Sequence, residues 1–535
     1  MNRSRRDFLR KAGLGLVGAS AGLSLPGLGR AIEYPFQRDF PISPDDLQRP
    51  TIDHFNGFCP NGKRVLEIVL YGGLSPWETF WVGSGGGDMF LNHQTGLPRN
   101  VDMRGAGDLV KNFDWCEGGP AANRVKYFGE DDAGQEIYWG PATQPLWGED
   151  IFNSARMITF GHDKNVHELA MPLALTGLPI GNLRAAGLGA AISRAFRDNS
   201  NCENDHRPYS YVLMPDDIGQ FRNISASISA TGFHGGANRP VELTVGQNGL
   251  DDLFLNAEPT PEVREALEVL RDQYRQRLRW QGTPGDHVRS PQFDDYRSAA
   301  LTLENSSALH DLVGGDTLIA SAGSSCEESP VDTNWNRTAR SLDVASILLD
   351  PNQGNARYVG MFDAGFPAYK FGGAPYDTHS SASFSEKHIP ATMTNLYNCL
   401  SHLRLLIDQG DINLSDTMVV ITTEMGRHPN LGASQKGREH WAAGTVQILL
   451  GCDGPRDIVG AIPSSGATSG YAEAPADPGA TRPFQAAHAR AAILKAAGID
   501  PVSHDHFSLG DLLDPLYAAT DAEMSNQIAS RILGV

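Results

Sequence analysis

Residues 418–441 read MVVITTEMGRHPNLGASQKGREHW. The first six are apolar or β-branched and lack the alternation of a half-exposed strand, which is the pattern of a strand covered on both faces. The remainder is a glycine-rich loop carrying Glu424, Arg427, His428, Glu439 and His440. A solvated connection needs polar residues, but it does not need two glutamates and two histidines around a tight excursion. A buried strand that empties into such a loop points to the carboxyl edge of an α/β sheet, where loops and helix N-termini converge on ligands.

The same pattern recurs elsewhere. Apolar runs at 65–71, 157–160, 358–362 and 446–450 each end in small or polar residues. Between two of the runs, Ile389, Met393, Leu396, Leu400, Leu403 and Ile407 recur at helical spacing, and Gly410 ends the series. Strand, helix, strand is the right-handed crossover unit of a mostly parallel sheet. A further helix is expected from Pro261, with Val263, Leu267, Leu270, Tyr274 and Leu278 on one face, and a closing helix over 486–498. The stretch 181–345 has few strand signals and reads as a largely helical or irregular insertion or cap. The fold class is therefore α/β, with a mostly parallel central sheet.

At 535 residues, with 40% hydrophobic and 20% charged residues, the chain has ample material for a core, and 58 Gly and 33 Pro predict many turns and long loops. Arg5 and Arg6, followed by Phe8-Leu9-Arg10-Lys11 and a Gly/Ala-rich apolar run to Leu28, resemble a twin-arginine export signal. The expected organisation is a signal peptide over 1–31 and one domain over 32–535, located in the periplasm or outside the cell. No later stretch has the roughly 18 apolar residues of a membrane span. A net charge of −19 repels phosphate backbones, so nucleic acid is excluded as a partner. Six cysteines without a C-x-x-C pair give no zinc-ribbon or thioredoxin pattern, and Cys399, on an apolar helix face, reads as a buried free thiol.

The chemistry is concentrated in the residues just after each strand. Gly72, Gly73 and Glu78 come after the first run; His162, Asp163, His167 and Glu168 after the second; Asp363 and then Asp377 and His379 after the third; Glu424 after the fourth. Carboxylates and neutral imidazoles are the donors of divalent ions. Asp377 and His379, two apart in an extended segment, point the same way. Outside the expected signal segment there is no G-x-S-x-G elbow, and Gly72-Gly73 lacks the spacing of a dinucleotide or P-loop motif.

Taken together, Gly72-Gly73-Leu-Ser75-Pro-Trp-Glu78-Thr79-Phe80, His167 ahead of Leu175-Thr176-Gly177, Tyr376-Asp377-Thr378-His379, and Asp416 through Asn430 with Gly437-Arg438-Glu439-His440-Trp441 resemble the bacterial family known as domain of unknown function 1501. That family looks like a branch of the alkaline phosphatase and sulfatase superfamily, which implies a three-layer α/β/α core. The resemblance also implies Glu78, Asp377, His379, Glu424 and His440 as ligands of a divalent ion such as zinc, manganese, calcium or iron. It places His167 near the position of a nucleophile, and Arg427 and Arg438 fit the steadying of an anionic group. Met425 stands where the superfamily commonly has histidine, and no Ser, Thr or Cys aligns with its nucleophile. Two readings result: an exported metal-dependent hydrolase acting on small phosphate or sulfate esters, and a non-catalytic binding protein, for a carbohydrate or a partner, on a degenerate hydrolase fold.

Overall fold

Each of the five apolar runs is a strand in the computed structural model, and together they make the centre of an eight-stranded sheet. The structure describes residues 62–83, 125–179, 182, 185–197, 211–215, 240–243, 337–363, 365, 376–377, 392, 395–428, 438–462, 484–502, 507, 509–512 and 521–534, with isolated positions between 262 and 313. His379 and the expected apolar face from Val263 to Leu278 lie outside the described residues.

In chain order the strands are β1 (Arg64–Leu70), β2 (Val82–Gly83), β3 (Lys126–Glu130), β4 (Glu136–Trp139), β5 (Arg156–Phe160), β6 (Tyr211–Met214), β7 (Val241–Glu242), β8 (Tyr358–Asp363), β9 (Thr417–Thr422), β10 (Gly426–Arg427), β11 (His440–Trp441), β12 (Thr445–Leu450) and β13 (Asp457–Val459). The main sheet has the order β13-β5-β12-β9-β1-β8-β6-β7. β12 runs antiparallel to both of its neighbours, β5 and β9, whereas every other pairing in the sheet is parallel. Seven strands thus share one direction and β12 returns against them. β2, β4 and β3 form a small separate sheet, and β10 and β11 a short hairpin.

Six longer helices accompany the sheet: α1 (His167–Thr176), α2 (Leu188–Arg197), α3 (Arg337–Leu349), α4 (Asn395–Gln409), α5 (Ala486–Ala496) and α6 (Asp521–Leu533). Both faces of the strands are buried, which is why their sequences are continuously apolar. Leu66 and Ile68 of β1, Val419 and Ile421 of β9, and Ile448 of β12 pack in one cluster with α3 and α4. Val65, Val420 and Leu449, on alternate positions, pack in a second cluster with α2, α5 and α6. α4 buries Leu396, Cys399, Leu400, Leu403 and Leu406 and stops immediately before Gly410, as its spacing predicts. Cys399 is a buried free thiol, and burial holds its pKa well above the ordinary value. Among the described residues no helix is long and apolar enough to cross a membrane.

Within the stretch 181–345, two short strands and a helix belong to the main sheet and its cover. β6 pairs with β8 and β7 with β6, extending the main sheet at one edge, and α2 packs beside them. Strands of four and two residues are too short to leave a periodic signal.

The α5 layer is fixed by a buried charge pair. Glu67, in the middle of β1, and Arg490, on α5, are each 1% exposed and form an ion pair. Tyr358 donates its hydroxyl to the other oxygen of Glu67 at 2.6 Å, and Arg490 Nε donates to the carbonyl of Ala174 at 2.7 Å. The pair therefore ties β1 and α5 to α1, the helix that begins at His167. Removing one partner strands the other charge in the core, so Arg490→Met should cost about 3–5 kcal/mol in denaturant unfolding. The double variant Glu67→Gln/Arg490→Met, which keeps an acceptor for Tyr358, should recover most of that loss.

Candidate metal centre

The direction of the strands assembles the site. The carboxyl ends of β1, β5, β8 and β9 meet at one edge of the sheet, and because β12 is reversed its beginning lies at that edge too. His440, which opens β11 shortly before β12, joins by this route. The hairpin pairs Gly426 with Trp441 and Arg427 with His440. A second tie comes from Asn165, in the loop after β5, whose side chain accepts the Ala442 N–H at 2.9 Å.

His167, Asp377 and His440 offer ligand atoms that all lie within 4.8 Å of one another. Nε2 of His167 is 3.2 Å from Oδ2 of Asp377, and Nε2 of His440 is 3.5 Å from Oδ1. The two imidazoles meet edge to face with centroids 4.5 Å apart. The opposite nitrogen of each ring is anchored. Nδ1 of His440 donates to the Asn165 carbonyl at 2.9 Å; a carbonyl only accepts, so a proton sits on Nδ1 and Nε2 is the ring atom that faces Asp377. Nδ1 of His167 is 2.6 Å from Oε1 of Glu424. A carboxylate or carbonyl behind a histidine is the outer support that metal-binding imidazoles characteristically have. Asp377 and His440 are partly exposed, so the group opens to solvent on their side.

Glu424 is wholly buried, and its oxygens are engaged. Besides His167, it accepts the Gly72 N–H at 2.9 Å and the Thr423 hydroxyl at 3.1 Å. Glu424 thus lies behind His167, supporting the imidazole, and His167 stands with Asp377 and His440 in the group that could hold an ion. Glu78 lies apart from that group: its carboxylate receives Arg438 Nε at 2.6 Å and the Ser75 hydroxyl, with both charged side chains fully buried.

Arg427 and Arg438, expected to face an anion, are both turned inward. Arg427 donates to the carbonyls of Gly72, Gly73 (2.9 Å), Arg438 (3.1 Å) and Tyr376 (3.4 Å) and to Oδ1 of Asp377 (2.7 Å). Its own carbonyl receives Trp77 Nε1 at 2.7 Å. Arg438 donates NH1 to the His428 carbonyl at 2.9 Å, closing the hairpin. Gly72 and Gly73 are required here: both have positive φ, at 114° and 80°. A Cβ on Gly72 would stand 2.6 Å from the Asp377 nitrogen, and one on Gly73 3.0 Å from Arg427 Nε.

The electrostatics are set by burial among carboxylates. Burial works to lower the pKa of His167, but its hydrogen bonds to Asp377 and Glu424 and their charges outweigh it and raise the pKa to about 9. Burial, reinforced by Glu424 and Asp377, pushes the Tyr71 phenol well above its ordinary value. Burial lowers His162, whose Nε2 lies 2.9 Å from the Glu424 carbonyl oxygen, and keeps it neutral. Asn165, Thr423 and the Gly72 amide are parts of the site that sequence reasoning missed. Asn165 stands two residues before His167 and Thr423 next to Glu424, and that proximity was the signal available.

In the metal-free protein His167 is an imidazolium held between two carboxylates. Because its pKa is raised from 6.5 to about 9, its stabilisation is complete below pH 6.5 and is lost as pH rises through 9. Thermal unfolding in chelator should therefore show stability falling between those values, by up to about 3 kcal/mol. His167→Gln should remove that slope; an unchanged slope would place its origin elsewhere.

No curated protein sequence matches the chain. The family model described as "Protein of unknown function (DUF1501)" matches residues 157–503, a span that starts within β5, includes His167, Asp377, Glu424 and His440, and covers more than half of the chain. On that match, the chain belongs to the DUF1501 family.

Proposed function

We propose that this protein is an exported, metal-dependent hydrolase of small phosphate or sulfate esters, with His167, His440 and Asp377 holding one divalent ion. The observation that carries the reading is the convergence of two Nε2 atoms on one carboxylate while both Nδ1 atoms are backed by acceptors. A chance cluster of surface imidazoles would not have both outer nitrogens fixed. The position of the cluster, at the carboxyl edge of a mixed, mostly parallel sheet with helices on both faces, supports an alkaline-phosphatase-like core.

Two imidazoles and a carboxylate suit zinc, manganese or iron; calcium, which takes six to eight oxygens, suits this donor set less well. When bound, such an ion supplies Lewis-acid polarisation of an ester oxygen and brings the pKa of a water to near 7. The chain's own groups do the rest. Glu424 and Asn165 hold the two rings at fixed angles, and Arg427 holds the Asp377 carboxylate. The open side at Asp377 and His440 is where an ester would approach.

A second reading, a binding protein that catalyses nothing, is favoured by one feature: His167 is already satisfied by two carboxylates. Elemental analysis of the purified mature protein, with a panel of phosphate and sulfate esters under added zinc, manganese and iron, separates the two. Hydrolysis with bound metal is expected, and His167→Ala, Asp377→Ala and His440→Ala should each lower both metal affinity and turnover by roughly 100-fold or more. A metal-free, inactive protein whose three variants behave like the parent would overturn the hydrolase. Export is tested by Arg5→Lys/Arg6→Lys, which should leave the precursor in the cytoplasm.

A further inference from the structure

We propose that His162 is the positioning residue of this centre, tying together the three segments that carry His167, Glu424 and His440. The inference rests on the metal site proposed above and adds what keeps its two imidazoles aligned. His162 follows β5 in the loop that leads to His167, and its side chain is buried. Its Nδ1 accepts the Lys164 N–H at 3.2 Å. A ring nitrogen that accepts carries no proton, so the proton of the imidazole is on Nε2, which donates to the Glu424 carbonyl at 2.9 Å. The main-chain N–H of His162 donates to the Ala442 carbonyl at 2.9 Å. With both ring nitrogens engaged by the backbone, His162 serves neither as a ligand nor in proton transfer; it holds the chain around the residues that do.

Each of these bonds reaches one support of the ligand group. The Glu424 carbonyl belongs to the residue whose carboxylate stands 2.6 Å behind Nδ1 of His167. Glu424 lies past the end of β9, where the sheet no longer sets the direction of its peptide, and the His162 ring supplies that direction from the β5 side. The Lys164 bond closes the turn over 162–164 and so aims Asn165, the next residue, at Ala442. Asn165 Oδ1 accepts the Ala442 N–H at 2.9 Å, while its carbonyl takes Nδ1 of His440. Both backbone polar groups of Ala442 are therefore held by one loop. Loss of the ring removes the donor to Glu424 and the closure of the turn together. The outer supports of His167 and of His440 then loosen, although the residues that face the ion are all still present. Such supports are worth about 10–100-fold in metal affinity, and His162 acts one bond further out, at the lower end of that range.

The test is a zinc titration, by competition with a chromophoric chelator, of the mature protein and of its His162→Ala and His162→Gln variants, with thermal unfolding of the same samples. His162→Ala should weaken zinc binding about tenfold, and His162→Gln, whose amide nitrogen can donate to the Glu424 carbonyl, should recover most of the loss. A parent that takes up no zinc overturns the centre and this inference with it. A parent that binds zinc with an affinity that His162→Ala leaves unchanged, even at a lower melting temperature, overturns this inference alone, as does a loss that glutamine does not recover. Should the alanine variant not fold, 15N spectra of the histidine-labelled parent at neutral pH decide: they should show His162, assigned by its absence in His162→Gln, as a neutral ring protonated on Nε2. A proton on Nδ1 would overturn the assignment.

Discussion

The charged groups of this protein are gathered by a reversal of chain direction. With seven strands parallel, the segments that leave their carboxyl ends supply Gly72, His167, Asp377 and Glu424 to one edge of the sheet. A parallel β12 would have to start from the far edge, and the residues preceding it would be left there. Because β12 is antiparallel to β5 and β9, its entry lies beside Glu424 and His167, and His440 completes the group. The β10–β11 hairpin is the short path that makes this reversal, and Arg427, Arg438 and Trp77 fasten it.

Bringing so much charge under cover is costly unless each group is paired and hydrogen-bonded. The solution is uniform. Arg438 with Glu78, Arg427 with Asp377, and Arg490 with Glu67 each join an arginine to a carboxylate that also accepts, or whose partner also donates, further hydrogen bonds. These pairs connect as well as neutralise: Arg490 reaches from β1 to α1, and Arg427 reaches from the β1 loop to the hairpin. The rigidity of the His167–Asp377–His440 group derives from that scaffold, since every loop bearing one of the three is fixed to another by a charged side chain or by Asn165.

Much of the fold could be read from the residues because strands covered on both faces leave unbroken apolar runs, and α4 leaves its 3–4 spacing. β6 and β7 could not, since strands of four and two residues at an edge have no pattern to display. The direction of β12 was equally invisible: Thr445–Leu450 reads the same whichever way it pairs. At the site, residue types and positions at strand ends were legible, and roles were not. Glu424 read as a ligand, but nothing in its neighbours tells whether a carboxylate faces an ion or backs a histidine; its orientation comes from His167 and the Gly72 amide, far away in sequence. Arg427 read as an anion clamp for the same reason. Besides Asp377, its partners are backbone carbonyls, which sequence does not distinguish.

The donor set of an ion taken up by the protein is the most direct test of the proposed centre. X-ray absorption fine structure on the zinc-loaded protein should show two imidazole nitrogens at about 2.0–2.1 Å, with their outer-ring scattering, and a light oxygen shell. In His440→Ala the imidazole count should fall to one. A shell of oxygens alone, or an imidazole count unaffected by that substitution, would contradict a centre built from His167, Asp377 and His440.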